Sequence, residues 1–262
     1  MKYYLKLLFI LSLVSMFSCR SSRELIYLKD FKPNDIIKGL PIQTTEHILR
    51  TGDILYVSIK SMNAEVNMLY DPESNMETTS YYSYQKYTTP SGAYLYGFEI
   101  NKEGNINLPM LGKIKVAGYS QSEIEQIVQK KADEFLNDAI VKVKLLNFKV
   151  TILGEVRNPG AYYNYNNSIT VIEALALANG NTDFATIKKV MVVRPLPEGN
   201  KSYMLDLSSK NVYLSEAFYL HPNDYVFVQP DKYKNFNLNS QAYSLIFSSL
   251  SVFFAVLGFV IK

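Results

Sequence analysis

Residues 100–119, INKEGNINLPMLGKIKVAGY, decide the fold of the first half of the chain. Their apolar residues alternate with Asn and Lys, first as Ile106 and Leu108 and then as Ile114 and Val116. A period of two is typical of strands with one buried face. The stretch therefore predicts two short strands that are joined by a turn.

A helix is predicted directly after these strands. Ser120 precedes Glu123 by three residues, which is the spacing of a capping box at a helix start. The apolar residues that follow recur at steps of three and four, on one helical face. They are Ile124, Ile127, Val128, Ala132, Phe135 and Leu136. The unit is therefore strand–turn–strand–helix, with a further strand around Val141 and Val143.

Turn residues punctuate this first region. Gly permits positive φ, Pro limits ladder pairing, and Asp can hydrogen-bond its own turn, so we interpret Asp53 as a turn residue rather than a catalytic one. The predicted turn positions are Gly52, Asp53, Gly104, Pro109, Gly112 and Gly118. Residues 94–100 are predicted to form a strand that pairs with residues 106–108 across the turn at Gly104.

The same residues carry a family resemblance. The pattern G-x-I-x-L-P-x-L-G-x-I-x-V-x-G-x-S, followed by an amphipathic helix, resembles the polysaccharide export domain of Wza-type secretion lipoproteins. L-x-x-G-D-x-L-x-V-x-I, at residues 49–59, resembles the opening of that domain. The resemblance implies an export domain over residues 46–147 without catalytic residues.

A second α+β unit is predicted over residues 148–232. Thr170 and Glu173 form another capping box, and the turn positions are Gly154, Pro159, Gly160 and Gly180. The blocks G-E-V-x-N-P-G-x-Y, T-V-I-E-A-L-A-L-A-N-G and V-x-V-V-R resemble the soluble-ligand-binding β-grasp (SLBB) domain. Asn223-Asp224 stands where that domain usually has Gly-Asp, and Asn tolerates the same turn.

The amino terminus resembles a bacterial lipoprotein signal. Lys2 and Lys6 precede an apolar run that is too short to span a bilayer, as in a signal peptide over residues 1–18. Ser18 precedes the only cysteine, Cys19, which the resemblance makes the acylated residue; the alternative is a buried free thiol. Residues 19–45 are predicted to be a tether.

Two further segments lie outside the domain cores. The polar, Tyr-containing insertion 62–90 lacks periodicity and is predicted to be a long loop, facing either a glycan or a neighbouring subunit. Residues 240–262 are predicted to form a transmembrane helix, since no charge interrupts residues 243–261. Small residues recur on one face of that helix, as either a helix-packing or pore-lining face or part of a plain anchor. They are Ser244, Ser248, Ser251, Ala255 and Gly258.

Composition and motifs argue against an enzyme. The 262 residues are 48% hydrophobic and 19% charged, and the net charge of +3 falls to +1 without Lys2 and Lys6, which disfavours nucleic acid. His47 and His221 occur in turns that are unrelated in sequence, and no phosphate loop or nucleophile elbow occurs. We expect no catalytic residues, no cofactor and no metal.

The combined interpretation is an α+β chain with an export domain, one SLBB-type β-grasp domain and a carboxyl-terminal transmembrane helix. The resemblance implies an oligomeric outer-membrane lipoprotein that carries capsular polysaccharide or exopolysaccharide through a ring or channel. It also implies an inner-membrane co-polymerase or tyrosine kinase as partner, a lipid anchor and a periplasmic location. The alternative is an anchored glycan- or partner-binding scaffold lipoprotein that forms no channel.

Overall fold

The computed structural model describes residues 25–37, 47–70, 92, 94–95, 97–232, 234 and 240–260. Within these residues the helices are α1 (Ala64–Tyr70), α2 (Gln121–Ala132), α3 (Val171–Leu177) and α4 (Ser240–Val260). The strands are β1 (Ile54–Lys60), β2 (Phe98–Glu99), β3 (Asn105–Leu108), β4 (Gly112–Lys115), β5 (Ile140–Leu145), β6 (Lys149–Gly154), β7 (Gly160–Tyr163), β8 (Ile169–Thr170), β9 (Ala185–Leu196), β10 (Gly199–Leu205), β11 (Tyr219–Leu220) and β12 (Tyr225–Pro230).

The first domain contains a three-stranded antiparallel sheet in the order β2-β1-β5. Its central strand β1 buries Leu55, Val57 and Ile59. The predicted pairing of residues 94–100 with 106–108 is wrong. Residues 94–95 are helical, and β2 pairs with β1 because Gly52 and Asp53 exchange backbone hydrogen bonds with Ile100.

The opening stretch forms the predicted hairpin of β3 and β4, with Ile106 opposite Ile114. Ser120 and Glu123 form a reciprocal capping box at the start of α2. The helix buries Ile124, Val128 and Ala132 and ends there. The prediction that the apolar face continues to residues 135–136 is therefore only partly right, since Phe135 lies beyond the helix and is 58% exposed.

Helix α2 also covers the outer edge of β5. Gln129 accepts from the backbone N–H of Val141 (2.9 Å) and donates to the carbonyl of Ala139 (2.8 Å). Glu125 accepts from the N–H of Val143 at 3.0 Å. These side chains satisfy strand groups that would otherwise be free to pair with another chain.

The second domain is built on a five-stranded mixed sheet in the order β10-β9-β12-β6-β7. β12 runs parallel to β6 and antiparallel to β9, so the last strand of the domain lies beside its first. Thr170 caps α3 with the predicted capping box. Strand β9 continues through Pro195, which has no backbone N–H to donate. The pairing of β12 with β9 ends at Val193, so the proline removes no hydrogen bond between these two strands.

A single hydrophobic cluster extends through both domains. The linker between β5 and β6 is three residues long, and its Leu146 and Phe148 are each 5% exposed. Asn147, between them, donates to the carbonyl of Gly52 (3.1 Å) and accepts from the N–H of Ile54 (3.0 Å). The linker is therefore part of the packed core.

The insertion that was predicted to be a long loop contains α1, so the prediction is wrong for residues 64–70. Tyr70 is buried and its hydroxyl donates to the carbonyl of Pro109 in the β3–β4 turn, which attaches the helix to the hairpin. Residues 71–91 lie outside the described part of the chain.

Candidate functional site

Asp53 closes the turn before β1. Its Oδ2 accepts from the backbone N–H of Arg50 and contacts His47 Nε2, each at 2.9 Å. The carboxylate is thus engaged locally, and this geometry is that of a turn residue.

A buried ion pair between Arg194 and Asp224 stabilises the turn before β12 in the second domain. Arg194 Nη2 donates to Asp224 Oδ2 at 2.8 Å, and the carboxylate also accepts from the backbone N–H of His221 at 2.8 Å. Arg194 donates in addition to the carbonyl of Tyr219 at 3.0 Å. Sequence reasoning missed Arg194 as a structural residue, although its position at the end of an apolar alternation was a usable signal.

The two histidines lie in turns that are unrelated in sequence, but the charge of His47 acts on His221 through space. Burial, together with the positive charges of Arg194, His47 and Arg50, lowers the pKa of His221 to about 4. His221 is therefore neutral at neutral pH.

Several predicted turn positions have a backbone conformation that favours glycine. Those with positive φ are Gly52, Gly104, Gly112, Gly118, Gly154 and Gly180. At Gly154 a Cβ atom would lie 2.1 Å from the carbonyl oxygen of Val228. The parallel pairing of β6 with β12 therefore also requires a residue without a side chain at this position. Asn179 (φ 58) and Asn223 (φ 68) adopt the left-handed conformation as well.

The predicted tight turn at Pro159-Gly160 differs in detail. Gly160 is not among the positive-φ residues and begins β7 as an extended residue. The loop before it is held instead by the end of α3, since Arg157 donates to the carbonyl of Gly180 and Asn158 to that of Ala178. Pro109 keeps its predicted place at the end of β3, where Leu111 donates to its carbonyl.

Residues 25–37, predicted as part of a tether, lie against the second domain. Leu28 and Lys29 donate to the carbonyls of Leu207 and Ser208 at 3.0 and 2.9 Å. The Asp30 carboxylate accepts from the backbone N–H of Lys210 at 2.7 Å. We call residues 25–37 the amino-terminal clamp. The predicted signal peptide and Cys19 lie outside the described residues.

The clamp also makes side-chain contacts. Phe31 packs edge-on against Tyr213 with ring centroids 6.0 Å apart. Asp35 pairs with Lys210 Nζ at 3.0 Å. Segment and domain thus share apolar, backbone and ionic contacts, which an unattached tether would lack.

Helix α4 exposes most of its apolar side chains, among them Leu245 (70%), Phe247 (69%) and Phe254 (62%). The hydroxyls of Ser248 and Ser251 donate to the carbonyls of Ser244 and Ser248, so the small-residue face is satisfied within the helix. In the described part of the chain no helix has both the length and the apolar character that a membrane crossing requires. The predicted transmembrane helix over residues 240–262 is therefore not supported.

Comparison with protein families finds two matches. Residues 42–146 match the polysaccharide biosynthesis/export protein family, and residues 148–228 match the SLBB domain. The matches adjoin each other in chain order, as the two structural units do.

Curated relatives are similar to part of the chain. The EPS I polysaccharide export outer membrane protein EpsA of Ralstonia nicotianae is 28% identical over 182 residues, 66% of this chain and 44% of that protein. The polysialic acid transport protein KpsD of Escherichia coli is 40% identical over 68 residues, 24% of this chain and 12% of that protein. The chain thus spans less than half the length of these relatives that it matches.

Proposed function

Because this chain carries the export and SLBB domains of a Wza-type polysaccharide export protein, we propose that it forms part of a non-catalytic route for polysaccharide across the cell envelope. Several copies assemble into a ring, and the polymer passes through its centre. The polymer is a capsular polysaccharide or an exopolysaccharide. The ring stands at the outer membrane, with the bulk of each chain in the periplasm.

The observation that carries the ring is the exposed apolar surface of α4. Contiguous exposed apolar surface is characteristic of interaction sites. In the ring, the α4 helices of neighbouring copies pack side by side and cover this surface, with the small-residue face at the helix contacts. The ring is therefore closed at one end by a bundle of α4 helices.

The lipid anchor is Cys19, exposed after removal of residues 1–18. It precedes Leu25, at the start of the clamp, by six residues, which reach at most about 20 Å when extended. Since the clamp lies on the second domain, that domain faces the membrane that holds the lipid. The export domain then faces the inner-membrane co-polymerase or kinase.

The function is tested by deleting the gene and measuring surface and secreted polysaccharide. We expect the surface polysaccharide to be lost and restored by the intact gene. A deletion strain with normal surface polysaccharide would contradict the proposal.

The assembly is tested by imaging the full chain after extraction into detergent. Closed rings with a bundle of α4 helices at one end are expected. Monomers at micromolar concentration would instead favour the anchored scaffold that forms no channel.

A further inference from the structure

A cavity of about 500 Å³ lies where the two domains meet. Its inner wall is apolar and includes the buried side chains of Leu49, Leu145 and Phe148. Its polar lining includes Gln121, Lys142, Lys144, Tyr165, Asn166 and Asn167. Pockets of a few hundred cubic ångströms with an apolar wall and a few polar groups are typical of sites for organic ligands.

A second cavity, of about 360 Å³, continues along the side of α2. Both cavities are lined by Glu125 and Val141, so they adjoin along the helix, and we refer to the two together as the groove. The far part of the groove is lined by Gln126, Gln129, Lys130 and Asp133. An elongated groove suits a segment of a linear polymer better than a compact molecule.

The groove does not suit an added peptide strand. On the edge of β5 beside the groove, the N–H groups of Val141 and Val143 already donate to Gln129 and Glu125, at 2.9 and 3.0 Å. A strand that paired with this edge would have to displace both side chains. The groove also presents amides, ammonium groups and a phenol, which hydrogen-bond well to hydroxyl groups.

The charges in the first cavity favour an acidic ligand. Lys142 and Lys144 both line it, and neither pairs with a carboxylate among the described residues. Lys144 Nζ instead donates to the neutral amide oxygen of Asn167 at 2.6 Å. The one carboxylate in this lining, Glu125, is occupied by the N–H of Val143.

We propose that this groove binds a short segment of an acidic polysaccharide. A sugar carboxylate lies against Lys142 and Lys144, a sugar ring packs on Tyr165, and Asn166 and Gln121 bond the hydroxyl groups. Tyr165 lines the cavity and is 38% exposed. The inference rests on the proposed function, since it names the class of polymer that the protein carries.

Calorimetric titration of the full chain with hexagalacturonate and with maltohexaose tests the groove. We expect the acidic oligomer to bind about tenfold more tightly, because a charge-assisted hydrogen bond contributes more than a neutral one. Lys142→Gln should weaken the binding of hexagalacturonate about tenfold and leave the binding of maltohexaose unchanged. Galacturonate monomer should bind far more weakly than the oligomer, because it fills only part of the groove.

The aromatic contact has its own variants. Tyr165→Ala should weaken the binding of both oligomers about tenfold. Tyr165→Phe keeps the aromatic ring and should retain their binding. Lys102→Gln is the matched control, since Lys102 is exposed on the same domain but lines a different cavity. It should bind like the parent chain.

Failure of the inference differs from failure of the proposed function. Three results would contradict the proposed binding by the groove. They are equal binding of the acidic and neutral oligomers, equal losses of affinity in Lys102→Gln and Lys142→Gln, and no binding at millimolar oligomer. In that case a strain that carries Lys142→Gln with Tyr165→Ala would still export normally. Loss of the proposed function would instead appear as normal surface polysaccharide after gene deletion.

Discussion

At residue scale, Gly154 is the described glycine at which an added Cβ atom would make the closest contact. A Cβ atom would meet the Val228 carbonyl at 2.1 Å, and φ is +90. Gly154→Ala should therefore lower the free energy of unfolding by about 3 kcal/mol or more, measured by chemical denaturation. Gly118→Ala is the control: φ is +94 with nothing within 4 Å, so only about 1–2 kcal/mol should be lost. Equal losses would show that the close approach of β6 and β12 is unimportant.

His221 should make stability depend on pH. Its folded pKa of about 4 lies below its ordinary value of 6.5, so the unfolded chain binds the proton more strongly between these values. This contribution is fully present above pH 6.5 and is lost as the pH falls toward 4. Allowing for solvent screening, we expect a loss of about 1–2 kcal/mol in the free energy of unfolding.

The control for this prediction is His221→Gln, which keeps the backbone N–H that binds Asp224. Its stability should fall less steeply between pH 6.5 and 4 than that of the parent chain in denaturation at several pH values. Parallel pH profiles for the two chains would contradict the assignment to His221.

Among individual residues, the sequence could predict the backbone conformation at turns. Asn179, Gly180 and Asn223 adopt the left-handed conformations that their identities favour. The pairing of Arg194 in β9 with Asp224 in the turn before β12 joins residues thirty positions apart. No local pattern specifies which buried carboxylate an arginine reaches, so this contact became visible only in the fold.

At the scale of elements, the amino-terminal clamp should contribute to the stability of the second domain. Phe31→Ala removes the edge-on contact with Tyr213 and should lower the free energy of unfolding by about 1 kcal/mol. Ile36→Ala is the control in the same segment, because Ile36 is 87% exposed and should be nearly neutral. Chemical denaturation measures both, and equal effects would argue against a specific contact.

Helix α4 should determine whether the proposed ring forms. Ala255→Leu adds bulk to the small-residue face and should shift the full chain toward smaller species in sedimentation measurements. Val256→Leu adds bulk away from that face and should leave the assembly intact. Dissociation by both variants, or by neither, would contradict close packing through this face.

Periodic and capped elements were predictable, because alternation and capping boxes are local. The strand partner of β2 was not, since the choice between β1 and β3 depends on contacts distant in sequence. The clamp shows no period because its residues 25–37 follow the surface of another domain rather than form an element of their own. The sequence therefore predicted the helices and strands better than it predicted which of them pack against each other.

At the scale of the whole molecule, the continuous core should make the two domains unfold together. Asn147→Ala removes both hydrogen bonds from the linker to the first domain and should lower the free energy of unfolding by about 1–3 kcal/mol. Asn200→Ala, on an exposed hairpin, is the control. Calorimetry should show a single transition for the parent chain, and two separate transitions would contradict a shared core.

The order of the two domains was predicted from motifs, and the resemblance to Wza-type export proteins is confirmed by both family matches. The groove at the domain junction was not predicted. Lys142 and Tyr165 belong to different domains, and their approach depends on how the domains pack. A site assembled across a junction leaves no signature in either domain alone.

The clamp also affects how the chain can fold. Leu28 bonds to Leu207, so the second domain is completed by residues synthesised well before its own strands. Contacts of such high sequence separation slow folding, because a long loop must close before they form. During synthesis the clamp therefore has no partner until the carboxyl-terminal half has emerged. The segment that leaves the ribosome early is among the last to reach its native position.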